Sequence, residues 1–110
     1  MIEDTIGKIE ARIQGADAVK AERRQELLQL LGTLKSEVAE LSKTHGQQAQ
    51  SIAQLTEAST HEATRPQQNP EALKGSLDDL GASVRGFEDS HPRLVQIVNA
   101  ISNTLSNLGI

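Results

Sequence analysis

The sequence predicts an all-α protein built on a long antiparallel helical hairpin. Apolar residues recur every three or four positions through most of the 110 residues, which is the period of one helix face. One polar stretch without this period, residues 59–69, separates the two longest patterned segments. The chain has no Trp or Tyr and one Phe, so we expect Leu, Ile, Val and Ala to form the core.

The first element is a short helix over residues 2–14. Its apolar residues are isoleucines spaced so that they share one face. They are Ile2, Ile6, Ile9 and Ile13. Gly15 is a suitable stop, since glycine commonly ends helices. Asp17 is predicted to cap the next helix, because its carboxylate can accept a hydrogen bond from an unpaired amide of the first turn.

The second helix carries a heptad pattern, in which apolar residues are alternately three and four positions apart. These seam residues are Leu27, Leu31, Leu34, Val38 and Leu41 and, after a polar interval, Ile52 and Leu55. His45 and Gln48 occupy the seam positions of the interval. The preserved phase predicts one helix over residues 18–59. Its weak point is His45-Gly46, because glycine costs about 1 kcal/mol relative to alanine inside a helix.

Residues 59–69 form the predicted loop between the two arms of the hairpin. Asn69-Pro70-Glu71 then has the composition of a helix start, with a capping side chain, a proline and an acid in order. The segment that follows keeps one heptad frame to residue 108. Its seam residues are Leu73, Leu77, Leu80, Val84, Phe87, Leu94, Val98, Ile101, Leu105 and Leu108.

Ser90, His91 and Pro92 interrupt this last segment without shifting its frame. Proline removes a backbone donor and costs about 3 kcal/mol inside a straight helix. We therefore predict two roughly collinear helices, 71–89 and 91–108, joined by a structural kink at these three residues.

The two arms are predicted to pair along their whole length. At 1.5 Å per residue, 18–59 and 71–108 would be about 63 and 56 Å long, and Leu55 would lie near Leu73. Two seams alone make a thin core. We therefore expect the first helix to cover the open end and a second copy to complete a four-helix or coiled-coil-like bundle. The chain, 1–110, is predicted to be one helical domain and a homodimer.

Composition excludes several kinds of partner and chemistry. Without cysteine the chain cannot form disulfides, thiolate metal sites or cysteine nucleophiles. The net charge of −4 comes from mixed acids and bases, so no segment is basic enough for nucleic-acid binding. No apolar run is long enough to span a membrane, and the first residues lack a signal-peptide pattern. We expect a cytoplasmic protein with no cofactor and no membrane contact.

The segment 87–110 carries a family resemblance. Its residues include Phe87, Glu88, Ser90, His91, Pro92 and Leu94, in the pattern Phe-Glu-x-Ser-His-Pro-x-Leu, and it closes on Leu108-Gly109-Ile110. This pattern resembles the C-terminal segment of a family of short, uncharacterised bacterial helical proteins, a domain of unknown function. The resemblance implies a bacterial source and an all-helical fold, and it implies no activity.

Two histidines occupy seam positions and are the residues most open to a functional interpretation. His91, beside Ser90 and Glu88, could act as an acid–base group. We favour a structural place for it at the kink. His45 and Gln48 either fix the register of the seam, as polar seam residues can, or lie on an exposed part of the helix.

The remaining polar motifs predict no metal or catalytic site. His61-Glu62 begins like the zinc-protease helix motif, but Arg65 stands where the second histidine must be. The adjacent acids Asp78 and Asp79 diverge by about 100° on a helix, so they do not converge on one ion or proton.

The function predicted from these observations is non-enzymatic: a structural or protein–protein interaction module. The weakly patterned stretch 42–60 is the predicted partner surface. One alternative is a regulatory or chaperone-like adaptor that presents a hydrophobic groove to a partner helix. A remote alternative is a small ligand-binding or catalytic bundle that uses His91.

Overall fold

The structure, a computed structural model, describes residues 2–17 and 19–108. Within these residues the regular elements are five α-helices, so the predicted all-α class is confirmed. They are α1 (Ile2–Gln14), α2 (Ala21–Ser42), α3 (Gly46–Ala63), α4 (Pro70–Ser83) and α5 (Pro92–Leu108). Gly109 and Ile110, which end the family-like segment, lie outside the described residues.

Helix α1 has the predicted bounds and the predicted buried face. All its isoleucines except Ile2, which is half-buried, are fully buried, and the helix packs on α2 and α3. The cap predicted at Asp17 is wrong. Helix α2 begins at Ala21. The residue at its N-cap position is Lys20, whose side chain makes no capping hydrogen bond. Asp17 instead places a carboxylate oxygen 3.8 Å from a guanidinium nitrogen of Arg24.

The single helix predicted over residues 18–59 is wrong, because the chain breaks at its weak point into α2 and α3. Residues 43–45 form the first bend, in which the amides of Thr44 and His45 both donate to the Leu41 carbonyl. His45 leaves helical geometry, with φ −135° and ψ 64°. The break places Gly46 at the first position of α3 instead of in a helix interior, and it lets α3 fold back on α2. The longest dimension is therefore 37 Å.

The loop between the arms is shorter than the predicted 59–69, since α3 continues through Ala63 and residues 64–69 connect it to α4. The predicted helix start is confirmed. The Asn69 side chain accepts hydrogen bonds from the amides of Glu71 and Ala72, at 3.1 and 3.2 Å. Pro70 occupies the first position of α4.

The kink predicted at Ser90, His91 and Pro92 is a complete reversal of the chain. Helix α4 ends at Ser83, and residues 84–91 form the second bend before Pro92 starts α5. Helices α4 and α5 contact each other side by side. The expectation that they are collinear is therefore wrong.

Backbone geometry explains why the second bend reverses the chain. Gly86 has φ +96°, in the left-handed region that favours glycine. The Glu88 carboxylate accepts a hydrogen bond of 2.7 Å from the Gly86 amide. The amides of Phe87 and His91 donate to the carbonyls of Val84 and Phe87. These bonds close a tight turn that a continuing helix cannot contain.

The two arms pair with each other as predicted, although each arm consists of two helices. Helix α2 packs on α5, and α3 packs on α4. The seam residues of both arms lie in one core within a single chain. Leu55, Leu77, Phe87 and Leu108 are half-buried against that core, and the others are buried. One chain thus fills the core that was expected to be too thin without a second copy. The homodimer itself stays a prediction.

Helix α3 lies at the centre and packs against each of the other four helices. Its buried residues are mostly small: Ala49, Ile52, Ala53, Thr56, Ser59, Thr60 and Ala63. The Thr56 and Thr60 hydroxyls each donate to the carbonyl four residues earlier, at 2.8 Å, so neither is left without a partner. The weak apolar pattern of 42–60 therefore reflects close helix packing. The partner surface predicted for this stretch stays a prediction for its exposed residues alone.

Enlarging a small residue on the buried face of α3 should destabilise the fold. Ala53 is fully buried, so we expect Ala53→Leu to lower the free energy of unfolding by about 1–3 kcal/mol through overpacking. Urea unfolding followed by circular dichroism measures this. Ala58→Leu, on the exposed side of the same helix, is the matched control and should change stability little. Equal effects at both positions would contradict the central placement of α3.

The second bend should depend on its glycine. We expect Gly86→Ala to cost about 1–3 kcal/mol, because alanine is strained at φ +96°. Gly75→Ala, in the middle of α4 where an added Cβ meets nothing within 4 Å, should stabilise the protein by about 0.5–1 kcal/mol. Thermal and urea unfolding of the two variants compare them directly. Stabilisation by both substitutions would show that the bend has another geometry.

Candidate functional site

The two bends meet at one place on the surface and bring three rings together. His45 comes from the first bend, and Phe87 and His91 come from the second. The Phe87 ring centroid lies 5.4 Å from that of His45 and 5.8 Å from that of His91. The two imidazole centroids are 6.4 Å apart. We call these three residues the ring cluster.

All three contacts of the ring cluster are edge-to-face. The interplanar angles are 81°, 84° and 87°. Aromatic rings prefer this arrangement because the positive edge of one ring meets the negative face of the next. The cluster is therefore a defined arrangement that ties one bend to the other.

The two histidines are held in the same way. Each immediately precedes a helix: His45 precedes α3, and His91 precedes α5. The Thr44 hydroxyl lies 2.8 Å from Nδ1 of His45, and the Ser90 hydroxyl lies 3.0 Å from Nδ1 of His91. Each imidazole is thus fixed on its Nδ1 side by the residue before it, and its Nε2 side is left for other partners.

Phe87 is the only phenylalanine in the chain, and it is half-buried at the surface rather than in the core. It packs against the edge of the aliphatic core. His91 is also half-buried, whereas His45 is exposed. The ring cluster therefore offers an apolar ring between two polar ones, with part of each accessible to solvent.

Charged residues flank the ring cluster along the chain at both bends. Beside His45, the Lys43 ammonium pairs with the Glu40 carboxylate at 3.0 Å. On the second bend, Glu88 closes the turn through the Gly86 amide, and Asp89 is exposed. The cluster is bordered by charges of both signs.

Other residues predicted to matter lie beside or outside this site. Ser90, whose hydroxyl contacts His91, is exposed at the second bend, and Pro92, the first residue of α5, is exposed next to it. Gln48 is exposed on α3, outside the ring cluster. His61 is exposed near the end of α3, and its neighbour Glu62 pairs with Arg65 at 3.1 Å. In the described residues, no three or more His, Asp or Glu side chains are arranged to hold a metal ion.

Shallow grooves run between the helices away from the ring cluster. One, of about 750 Å³, lies between α1 and α3 and is lined by Lys8, Arg12 and His61 among others. Another, of about 470 Å³, lies between α4 and α5, with Leu73 and Leu77 on one side. Neither groove touches His91. Within the described residues, no helix is long and apolar enough to cross a membrane.

A side-chain hydrogen bond between α2 and α5 was not predicted from the sequence. The Thr104 hydroxyl of α5 lies 3.1 Å from the Glu26 carboxylate of α2 and 3.0 Å from the Ala100 carbonyl, and its one proton is shared between these two acceptors. Thr104 is buried in a position next to the α5 seam. A polar residue beside the seam is the one signal that could have indicated such a link.

The ring contacts should appear as a coupling between the two bends. In a double-mutant cycle of His45→Ala and Phe87→Leu, we expect a coupling energy of about 0.5–1.5 kcal/mol from urea unfolding. The cycle of His61→Ala with Phe87→Leu is the control, and should be additive within about 0.5 kcal/mol. Additivity in both cycles would mean that the rings do not interact.

Residues 27–110, which contain both bends and the ring cluster, match a known family model, described as a domain of unknown function (DUF4404). The match begins within α2 and leaves out α1. No curated protein and no solved structure matched the chain. The match confirms the resemblance to an uncharacterised family. Since it covers well over half of the sequence, the protein belongs to the DUF4404 family.

Proposed function

We propose that this protein is a small helical interaction module of the cytoplasm, that it has no catalytic activity, and that the ring cluster is its contact surface. The observation that carries the proposal is the position of Phe87. A chain with one phenylalanine places it half-exposed at the junction of two bends, while aliphatic side chains fill the core. Aromatic residues are enriched at protein interfaces, where they bury much area on two rotatable bonds.

The ring cluster is suited to binding because its rings are already ordered. Hydroxyl groups hold both imidazoles, and edge-to-face contacts hold Phe87. Side chains that are immobilised before binding lose less entropy when a partner arrives. The free Nε2 atoms add hydrogen-bonding groups beside the apolar ring, so the surface combines burial with directional contacts.

The partner that we propose is a second copy of the chain. The seam leucines are used within one chain, so a homodimer has to form through the surface. Besides Phe87, the half-buried residues Leu30 and Ile97 on α2 and α5 retain exposed apolar area. Burying such area on association is favourable by about 25 cal/mol per Å².

A second candidate function is the adaptor that presents a groove to a partner helix. The groove between α4 and α5 favours it, because Leu73 and Leu77 give it an apolar side and Asn99 and Asn103 give it a polar rim. An amphipathic helix matches a groove with one apolar and one polar side.

Light scattering across a concentration series tests the homodimer. We expect the mass to rise from 11.9 kDa toward twice that value. Phe87→Ala should return it to 11.9 kDa, because the substitution removes the apolar ring from the contact. Leu77→Ala, in the groove between α4 and α5, is the control and should leave the dimer intact. A wild-type mass of 11.9 kDa at every concentration would contradict the homodimer. If Leu77→Ala but not Phe87→Ala abolished the dimer, the contact surface would be the groove between α4 and α5 rather than the ring cluster.

A further inference from the structure

Helix α1 is attached to the rest of the fold through one apolar face. Ile6, Ile9 and Ile13 are buried in the same core as residues of α2 and α3, the two helices on which α1 packs. A helix of 13 residues is only marginally stable alone in water. If α1 leaves its place, it therefore needs another apolar groove of the same shape to remain a helix.

The contact between α1 and α3 also has edges of opposite charge. Lys8 and Arg12 of α1 line one side of the groove between these helices, and Glu57 and Glu62 of α3 line the other side. The surface under α1 thus fits an amphipathic helix with an aliphatic stripe and a basic edge. A second copy of the chain carries that helix as its own α1.

The linker between α1 and α2 turns the chain back on itself. The amides of Ala16 and Val19 donate to the carbonyls of Ile13 and Ala16, at 3.2 and 3.0 Å. The Arg24 guanidinium of α2 donates to the same Ala16 carbonyl at 3.3 Å. The linker sequence, GADAVK, contains one glycine and no proline. Its composition therefore also permits a helix.

A helical linker would join α1 and α2 into one helix with a continuous apolar stripe. The stripe keeps one heptad position throughout, since its members are seven or fourteen residues apart. They are Ile6, Ile13, Leu27, Leu34 and Leu41. In this open form α1 points away from its own groove along the axis of α2. A second open copy, related by a two-fold axis, then offers the identical groove.

We propose that two copies of this chain exchange α1 reciprocally, each seating its isoleucine face between α2 and α3 of the other. The exchange keeps the apolar contacts that α1 makes in the single chain and changes only the linker, so it is a low-cost route to a dimer. The tethered α1 has an effective concentration in the millimolar range, so the closed single chain dominates in dilute solution. This is a second way to join two copies, and it does not rest on the proposed contact of the ring cluster.

Single cysteines can report the exchange, because the chain has none of its own. Ala11→Cys on α1 and Ala58→Cys on α3 place thiols at exposed positions of one groove. The two variants, one of them isotope-labelled, are mixed at about millimolar concentration and treated with a short bismaleimide crosslinker. Mass spectrometry then measures the covalent dimer of a labelled and an unlabelled chain.

The control pair is Ala11→Cys with Ala82→Cys. Ala82 is exposed on α4, which α1 does not contact within the described residues. We expect the pair on α1 and α3 to give roughly tenfold more covalent dimer than the control, because exchange raises the effective concentration of its two thiols. A dimer through the ring cluster does not bring these thiols together, since residue 58 lies about 18 Å along α3 from that cluster.

Two further substitutions should shift the exchange in opposite directions. Gly15→Ala favours a helical linker and should raise the yield about fivefold, in line with the propensities of glycine and alanine. The closed chain tolerates it, because the added Cβ lies 3.5 Å from its nearest neighbour. Ala21→Pro should abolish the crosslink, since proline breaks a helix that runs through this position. Proline fits the closed chain, because Ala21 is the first residue of α2 and Lys20 has φ −59° and ψ 144°.

The outcomes separate the exchange from the ring-cluster dimer. Phe87→Ala in both copies should leave the crosslink unchanged, whereas light scattering of Phe87→Ala tests the ring cluster. A yield equal to that of the control pair would overturn the exchange, and so would a yield that falls with Phe87→Ala. A crosslink that persists unchanged in Ala21→Pro would overturn it as well. If circular dichroism shows that Ala21→Pro is unfolded, the rise expected for Gly15→Ala decides the question.

Discussion

The fold depends on the close packing of α3 against its neighbours. A central helix that contacts four others needs a buried surface of small side chains, and Ala49, Ala53 and Ala63 supply it. Two threonines share that surface because their hydroxyls return to the helix's own carbonyls. Larger residues there would push the surrounding helices apart, because interiors are packed as densely as organic crystals. This constraint explains why one chain can bury most of its seam leucines.

The sequence predicted which residues form the core much better than where the chain turns. The apolar seam residues were identified from their spacing, and the cap at Asn69 from the composition of Asn69-Pro70-Glu71. The places of both bends were identified, as a weak point at His45-Gly46 and a kink at Ser90-His91-Pro92, but the chain reversals were missed for one physical reason. A helix that continues and a helix that folds back onto the same core keep the same heptad phase, so periodicity cannot tell them apart. The small buried face of α3 was also missed, since the seam was traced through large aliphatic residues and not through Ala, Ser and Thr.

The same limit applies to the candidate site. His45 and His91 were each identified as polar residues at seam positions, and their local hydroxyl partners are visible in the sequence as Thr44 and Ser90. Their meeting required both bends, so no argument from one segment could find it. The family-like pattern acquires a structural meaning here. Glu88 closes the second bend, and Phe87 completes a cluster whose third ring comes from the other arm.

The helices pair in a nested order along the sequence, with the pair α3 and α4 enclosed between α2 and α5. This order has a consequence for how the chain folds. Helices α3 and α4 are joined by a short loop, whereas the Glu26–Thr104 contact between α2 and α5 spans 78 residues. Closing the outer pair first would require a long loop, whose entropic cost grows with its length. Once the inner pair has formed, the two bends lie side by side and the remaining search is local. The topology therefore favours assembly from the middle of the chain outward. The same topology favours early formation of the bends and late docking of the two ends.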